Sequence, residues 1–142
     1  MNEAKKYDLK RFFRKDNVYN DLNPVQESNS KIDPDNFTSI NSYKFTDANT
    51  AIQEVVNKYP KGDKADGIGV VFIIESFNKS EQIAILYVTF FDIASKKILY
   101  KEQMSGKPGG FGLRNYWVGA IMDILKQIDS NQYKYWKMKY GN

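Results

Sequence analysis

The amino-acid sequence predicts an α+β fold in a single domain, with two or three helices packed on one face of an antiparallel β-meander of three or more strands. Two observations lead to this prediction. Three consecutive segments have the β-branched and aromatic composition of strands, and two other segments carry apolar residues at helical spacing. The length of 142 residues fits one domain, and a composition that is 42% apolar and 15% aromatic can build one core.

The N-terminal third, residues 1–45, is predicted to be an irregular segment that packs on a domain formed by residues 46–142. Asn, Asp, Ser and Pro interrupt every short apolar run in this segment. Asn23-Pro24 indicates a turn, because the residue before a proline is disfavoured in the helical region. The regular structure expected here is a short strand or a helical turn near Phe12–Tyr19.

The first helix is predicted over residues 48–59. Thr50 and Gln53 match the capping-box pattern T-x-x-Q, and Pro60 ends the helix. The apolar residues recur at the spacing of one helical face: Ile52, Val55, Val56 and Tyr59.

Three strands are predicted next, over Ile68–Phe77, Gln82–Asp92 and Ile98–Met104. The first is apolar on both faces, which favours a central position in the sheet. The second repeats that pattern after a tight turn and should pair antiparallel with the first. The third alternates more between apolar and polar residues, which is typical of a strand nearer an edge.

A glycine-rich loop, Ser105–Gly112, leads into the second helix, whose apolar stripe runs from Trp117 to Ile128. The residues Asp129-Ser130-Asn131 either end that helix or kink it. The tail, residues 133–140, fits a helix through Tyr133, Trp136 and Tyr140, and it fits a strand through alternation with lysines. We favour the helix.

The residue types that are missing limit the chemistry. The chain has no histidine and no cysteine, which excludes Ser–His and Cys–His nucleophilic sites, His/Cys zinc sites and disulfides. The carboxylate pairs Asp63/Asp66 and Asp33/Asp35 lie in turn sequences, where aspartate is a common turn former. We therefore expect no enzyme activity, no cofactor and no metal.

The glycine-rich loop occupies the place where a phosphate-binding loop would lie, but it departs from both known patterns. A Walker loop needs Ser or Thr after the lysine, and Pro108 follows Lys107. The dinucleotide pattern lacks its third glycine. The glycines are therefore predicted to serve the turn from strand to helix. A weak anion site within residues 109–114 remains as an alternative.

The net charge is +4, and the basic residues gather at the two ends of the chain. Basic ends are compatible with phosphate backbones or anionic lipid headgroups, but solvated tails that keep the protein soluble are the simpler explanation. The interleaved Tyr, Trp and Lys of the tail fit contact with a membrane surface or base stacking, and they also fit a helix that buries its aromatic side. Nucleic acid is the less favoured partner, since no known nucleic-acid motif is present. No apolar run approaches the roughly 20 residues of a transmembrane helix.

Two stretches carry a resemblance to known proteins. The first is Phe91-Asp92-Ile93, a turn at residues 94–97, then Ile98-Leu99-Tyr100. It resembles the strand–Asp–turn–strand signature of small α/β domains in bacterial envelope proteins, such as the periplasmic domain of the curli secretion lipoprotein and the lipoprotein activators of penicillin-binding proteins. The second, Met104–Trp117, is similar to uncharacterised exported proteins of Bacteroidetes. The resemblance covers residues 68–128 and implies an exported, non-enzymatic accessory domain that acts through protein contacts.

The sequence thus predicts a protein-binding or structural accessory domain of the bacterial cell envelope, with a basic cytoplasmic nucleic-acid-binding domain as the alternative. The expected location is the periplasm or envelope if Met1 replaces a removed signal peptide, and the cytoplasm otherwise. The expected partner is another protein. Two binding surfaces are predicted, one at the glycine-rich loop and helix start and one at the tail: Lys107, Phe111, Arg114, Tyr116, Tyr133, Tyr135, Trp136 and Tyr140.

Overall fold

The computed structural model describes residues 9–33 and 43–140, except for the side chains of Leu113, Arg114 and Tyr140. It confirms the α+β fold class, with a three-stranded antiparallel sheet accompanied by helices. Internal contacts divide the described chain into two compact units. We call Asp21–Ser105 the sheet unit, and the residues up to Asn20 together with those from Gly106 onward the helical unit. The division into residues 1–45 and 46–142 stays a prediction.

Two short helices lie in the N-terminal third, where the sequence predicted mostly irregular structure. Helix α1 spans Leu9–Phe13 and helix α2 spans Asn23–Ser30. The predicted turn at Asn23-Pro24 is wrong, because these residues begin α2. Proline is tolerated in the first turn of a helix, where its missing N–H would have no partner within the helix.

The sheet has the strand order β1-β2-β3, formed by β1 (Ile68–Asn78), β2 (Ile83–Asp92) and β3 (Ile98–Gly106). Strands β1 and β2 pair antiparallel with Ile73 opposite Tyr87, and the register shifts at a bulge between Ile74 and Ser76. The prediction of β1 as the central strand is wrong, since β2 lies in the middle. An apolar side chain in a strand need not be buried, and Ile68 of β1 is 68% exposed.

Helix α3 (Ala48–Lys58) covers one face of the sheet. Its buried Ile52 and Val56 form a core cluster with Ile73 of β1. The predicted cap at Thr50 is wrong. Asp47 caps the helix instead, and its carboxylate accepts from the backbone N–H of Asn49 (3.0 Å) and the hydroxyl of Thr50 (2.7 Å). An aspartate just before the helix satisfies amide groups that have no partner within the first turn.

The turn between β2 and β3 is tied to α3 by one side chain, Gln53. Its Nε2 donates to the carbonyl of Lys96 (2.8 Å), and its Oε1 accepts from the backbone N–H of Ile98 (3.4 Å). The Lys96 ammonium in turn donates to the carbonyls of Tyr59 and Asn57, at the end of α3. These bonds place a positive charge where the helix carbonyls have no partner within the helix.

The helical unit continues without a break from α4 (Leu113–Gln127) through a π-helical turn (Ile128–Gln132) into α5 (Tyr133–Tyr140). The tail is therefore helical, as favoured. Of the two predicted alternatives, Asp129-Ser130-Asn131 does not end the helix, since these residues lie in the π-helical turn. Ile124 and Ile128 are fully buried, and Phe12 of α1 and Trp136 of α5 are also buried.

Asp92 organises the turn after β2, and this role has a measurable consequence. Its Oδ2 accepts from the hydroxyl (2.6 Å) and the backbone N–H (2.8 Å) of Ser95. These bonds, first that from the hydroxyl, hold the pKa of Asp92 below the usual value for an aspartate. A carboxyl group whose pKa is lower in the folded protein than in the unfolded chain stabilises the fold at pH values above its unfolded pKa. This contribution is lost as the pH falls through the folded pKa.

We expect Asp92→Asn to be less stable than the parent protein at neutral pH, with the difference shrinking below about pH 4. Urea denaturation across pH measures this difference directly. As a control, Ser95→Ala removes the hydroxyl donor and should itself reduce the pH-dependent part. A difference that stays constant down to pH 2 would contradict this role for Asp92.

Candidate functional site

The glycine loop, defined here as residues 106–112, runs back along α4 and is held there by main-chain groups. The backbone N–H of Lys107 donates to Asp123 Oδ2 (2.9 Å), and the backbone N–H of Gly109 donates to the carbonyl of Tyr116 (3.0 Å). Both acceptors belong to α4. The loop is therefore fixed at two points along the helix.

This arrangement depends on glycine at two positions, Gly119 in α4 and Gly106 at the start of the loop. A Cβ atom at Gly119 of α4 would overlap the carbonyl oxygen of Gly109 and lie 2.8 Å from its nitrogen. A Cβ atom at Gly106 would overlap the carbonyl oxygen of Ala120. Gly110 and Gly112 adopt φ values of 117° and 79°, which other residues rarely adopt. The glycines thus serve the turn into α4, as the sequence predicted.

Phe111 stands at the outer end of this loop, between the two glycines with positive φ, and 96% of its surface is exposed. Of the other residues predicted for this surface, Lys107 is exposed, whereas Tyr116 is half-buried and packs edge-on against Trp117 with ring centroids 5.1 Å apart. The side chain of Arg114 lies outside the described part of the structure. The loop therefore presents one large apolar side chain to solvent.

The aromatic residues predicted for the tail surface have different environments. Trp136 is 7% exposed and packs in the interior, so it offers no contact surface. Tyr133 is half-buried, with the Arg14 guanidinium 5.0 Å from its ring centroid, and Tyr135 is exposed, with the Lys139 ammonium 5.6 Å from its ring centroid. The side chain of Tyr140 lies outside the described part.

A basic groove appears beside the tail that sequence reasoning missed. Arg14, just after α1, meets α5 in a groove of about 530 Å³. Arg14 is positioned by a bond from its Nη2 to the carbonyl of Asp129 (3.2 Å), and Arg11 pairs with the carboxylate of the same residue (3.4 Å). The sequence showed both basic ends but not that they meet. The lining residues are Arg14, Tyr133, Lys134, Lys137 and Met138.

The sheet unit contains a buried carboxylate that the sequence did not indicate. Glu75 is 7% exposed, and it accepts from the backbone N–H of Phe45 (3.0 Å) and from Gln103 Nε2 (3.0 Å). Burial, and to a lesser degree the charge of Glu75, raise the pKa of Tyr87. A raised pKa makes the Tyr87 phenol a weaker acid, so it keeps its proton near neutral pH. Both oxygens of the Glu75 carboxylate accept a hydrogen bond, which is typical of a buried polar group with a structural role.

Among the described residues, no group of three or more Asp or Glu side chains is placed to hold a metal ion. In the same residues, no helix has the length and apolar character needed to cross a bilayer. Comparison with protein-family models, with curated proteins and with solved structures found no match to this chain.

The packing of the glycine loop on α4 can be tested with two alanine variants. We expect Gly119→Ala to lower the free energy of unfolding by about 1–3 kcal/mol, because its Cβ would displace the loop backbone. Gly109→Ala should change it little, since a Cβ at this position meets no atom within 4 Å. Urea denaturation measures both values. If the loop did not contact α4, Gly119→Ala would instead stabilise the helix by about 1 kcal/mol.

Proposed function

We propose that this chain is a non-enzymatic accessory domain of the bacterial cell envelope, and that it binds another protein through its glycine loop with Phe111 as the anchor. The observation that carries the proposal is the 96% exposure of Phe111 on a loop fixed to α4 at two points. Moving an exposed phenyl ring out of water is favourable in free energy, and aromatic residues are enriched in protein interfaces.

The fixed loop supports a binding role for a second reason. Association normally costs conformational entropy when a mobile loop becomes ordered, and a loop that is already held reduces that cost. The main-chain bonds at Lys107 and Gly109 would maintain the position of Phe111 before a partner arrives. Lys107 is exposed on the same loop and would add a cation to the contact.

The chemistry of the chain favours binding over catalysis. It contains no histidine or cysteine, and its buried carboxylate, Glu75, is occupied by two hydrogen-bond donors. The envelope location rests on the resemblance of residues 68–128 to exported accessory domains. In this structure Asp92, which belongs to the resembling stretch, forms the turn through Ser95.

The proposal predicts that a photo-crosslinking phenylalanine analogue placed at position 111 captures one reproducible partner in the native host. The matched control places the same analogue at Leu99, which is 54% exposed on β3. The captured partner should fractionate with the cell envelope. Capture of the same proteins at both positions, or of none at position 111, would contradict the proposal.

Phe111→Ala should reduce recovery of the captured partner at least tenfold, as expected for an interface anchor worth about 1.4 kcal/mol or more. The melting temperature should remain within a degree of the parent, because the ring has almost no contacts to lose. A melting temperature lowered by several degrees would show instead that Phe111 supports the fold.

A further inference from the structure

A second surface of the helical unit combines cations with an exposed thioether. We call it the basic face and define it by the groove residues Arg14, Tyr133, Lys134, Lys137 and Met138. Met138 is 82% exposed, and it belongs to α5 together with both lysines. We propose that the basic face binds the surface of an anionic lipid bilayer, with the cations at the phosphate layer and Met138 beneath them.

The charge of this face is of one sign. Residues 130–140 contain no acidic side chain. The neighbouring Asp129 is engaged within the unit, because its carboxylate pairs with Arg11 and its carbonyl accepts from Arg14. A cluster of cations without interspersed carboxylates attracts an anionic surface, and each basic residue near such a surface strengthens binding about fivefold.

The position of Met138 distinguishes a bilayer from a purely anionic partner. A phosphate backbone has no apolar surface against which a thioether could be buried. In a bilayer, the boundary between headgroups and acyl chains lies directly below a layer of anions and accepts an apolar side chain. Lysine side chains can keep their ammonium groups at that layer while their methylene stems lie against apolar material. Lys134 lies one turn before Met138 on α5, Lys137 directly precedes it, and all three line the same groove.

The surroundings of Tyr133 and Tyr135 on α5 argue against nucleic acid as the partner. Single-stranded nucleic acid binds to aromatic rings whose faces accept a base. Here the ring of Tyr133 carries the Arg14 guanidinium at 5.0 Å, and the ring of Tyr135 carries the Lys139 ammonium at 5.6 Å. Trp136, the largest aromatic of the helix, is buried. Burial of Trp136 also fixes which side of α5 faces outward.

The test uses the full chain and vesicle flotation. Vesicles of phosphatidylcholine alone are compared with vesicles of equal parts phosphatidylcholine and phosphatidylglycerol. We expect binding to the anionic vesicles only, with a steep decrease as salt is raised. The double variant Lys134→Gln/Lys137→Gln should bind about 30-fold more weakly, from two cations at about fivefold each.

A matched control removes two positive charges elsewhere. Lys61→Gln/Lys79→Gln changes exposed lysines of the sheet unit and should leave vesicle binding within about twofold of the parent. Met138→Ser keeps the charge and should weaken binding several-fold, which attraction by charge alone does not explain. Phe111→Ala should leave vesicle binding unchanged, so this inference and the proposed protein contact can fail separately.

Three results would overturn the inference. They are equal binding to neutral and anionic vesicles, equal losses in the two double-lysine variants, and no effect of Met138→Ser. Displacement of the protein from anionic vesicles by an unstructured single-stranded oligonucleotide at comparable concentration would assign the basic face to nucleic acid instead.

Discussion

The proposed site depends on one constraint, which is the close contact between the backbone of the glycine loop and the backbone of α4. Gly109 can approach Gly119 closely because Gly119 has no side chain, and a Cβ atom at Gly119 would overlap the backbone of Gly109. This proximity allows the Gly109 amide to reach the carbonyl of Tyr116. The loop then turns through two positive φ angles, and Phe111 is left pointing into solvent. A larger residue at Gly119 would move the loop and the phenyl ring together.

The sheet unit solves a different physical problem, which is the placement of polar groups among apolar side chains. Both the nitrogen and the oxygen of the Gln53 amide form hydrogen bonds with the backbone where the turn enters β3. Gln103 uses its amide on the buried Glu75. Leaving such a group unpaired costs more than the bond contributes, so these pairs specify the arrangement of α3, β1 and β3. They fix polar side chains between α3 and the start of β3 and between β3 and β1.

Much of the fold could be predicted from the sequence because the signals were local. The three strands and α3 are found close to their predicted bounds, since β-branched runs and helical spacing act over a few residues. Helix α2 was missed because its sequence is polar, and α5 was favoured correctly from its aromatic spacing. The position of β1 at an edge could not be predicted, because strand order depends on pairing partners and not on composition.

The candidate site shows the same division between local and distant information. Phe111 was predicted as a binding residue on the glycine-rich loop, and this stays a prediction, whereas the contact of that loop with Gly119 was not predicted. The basic groove joins Arg14 to Tyr133, and the buried Glu75 accepts from Phe45 and Gln103, far apart in the chain. Only the folded chain brings such residues together. Trp136 was predicted to bind a partner and is buried instead, because an aromatic residue on a helix serves either role.

Backbone ¹⁵N relaxation of the free protein shows whether the loop holds Phe111 in place before any partner binds. We expect order parameters of about 0.85 for the amides of residues 106–112, close to those of α4. Values below about 0.6 across the loop would contradict it, because a mobile loop would hold Phe111 in no fixed position.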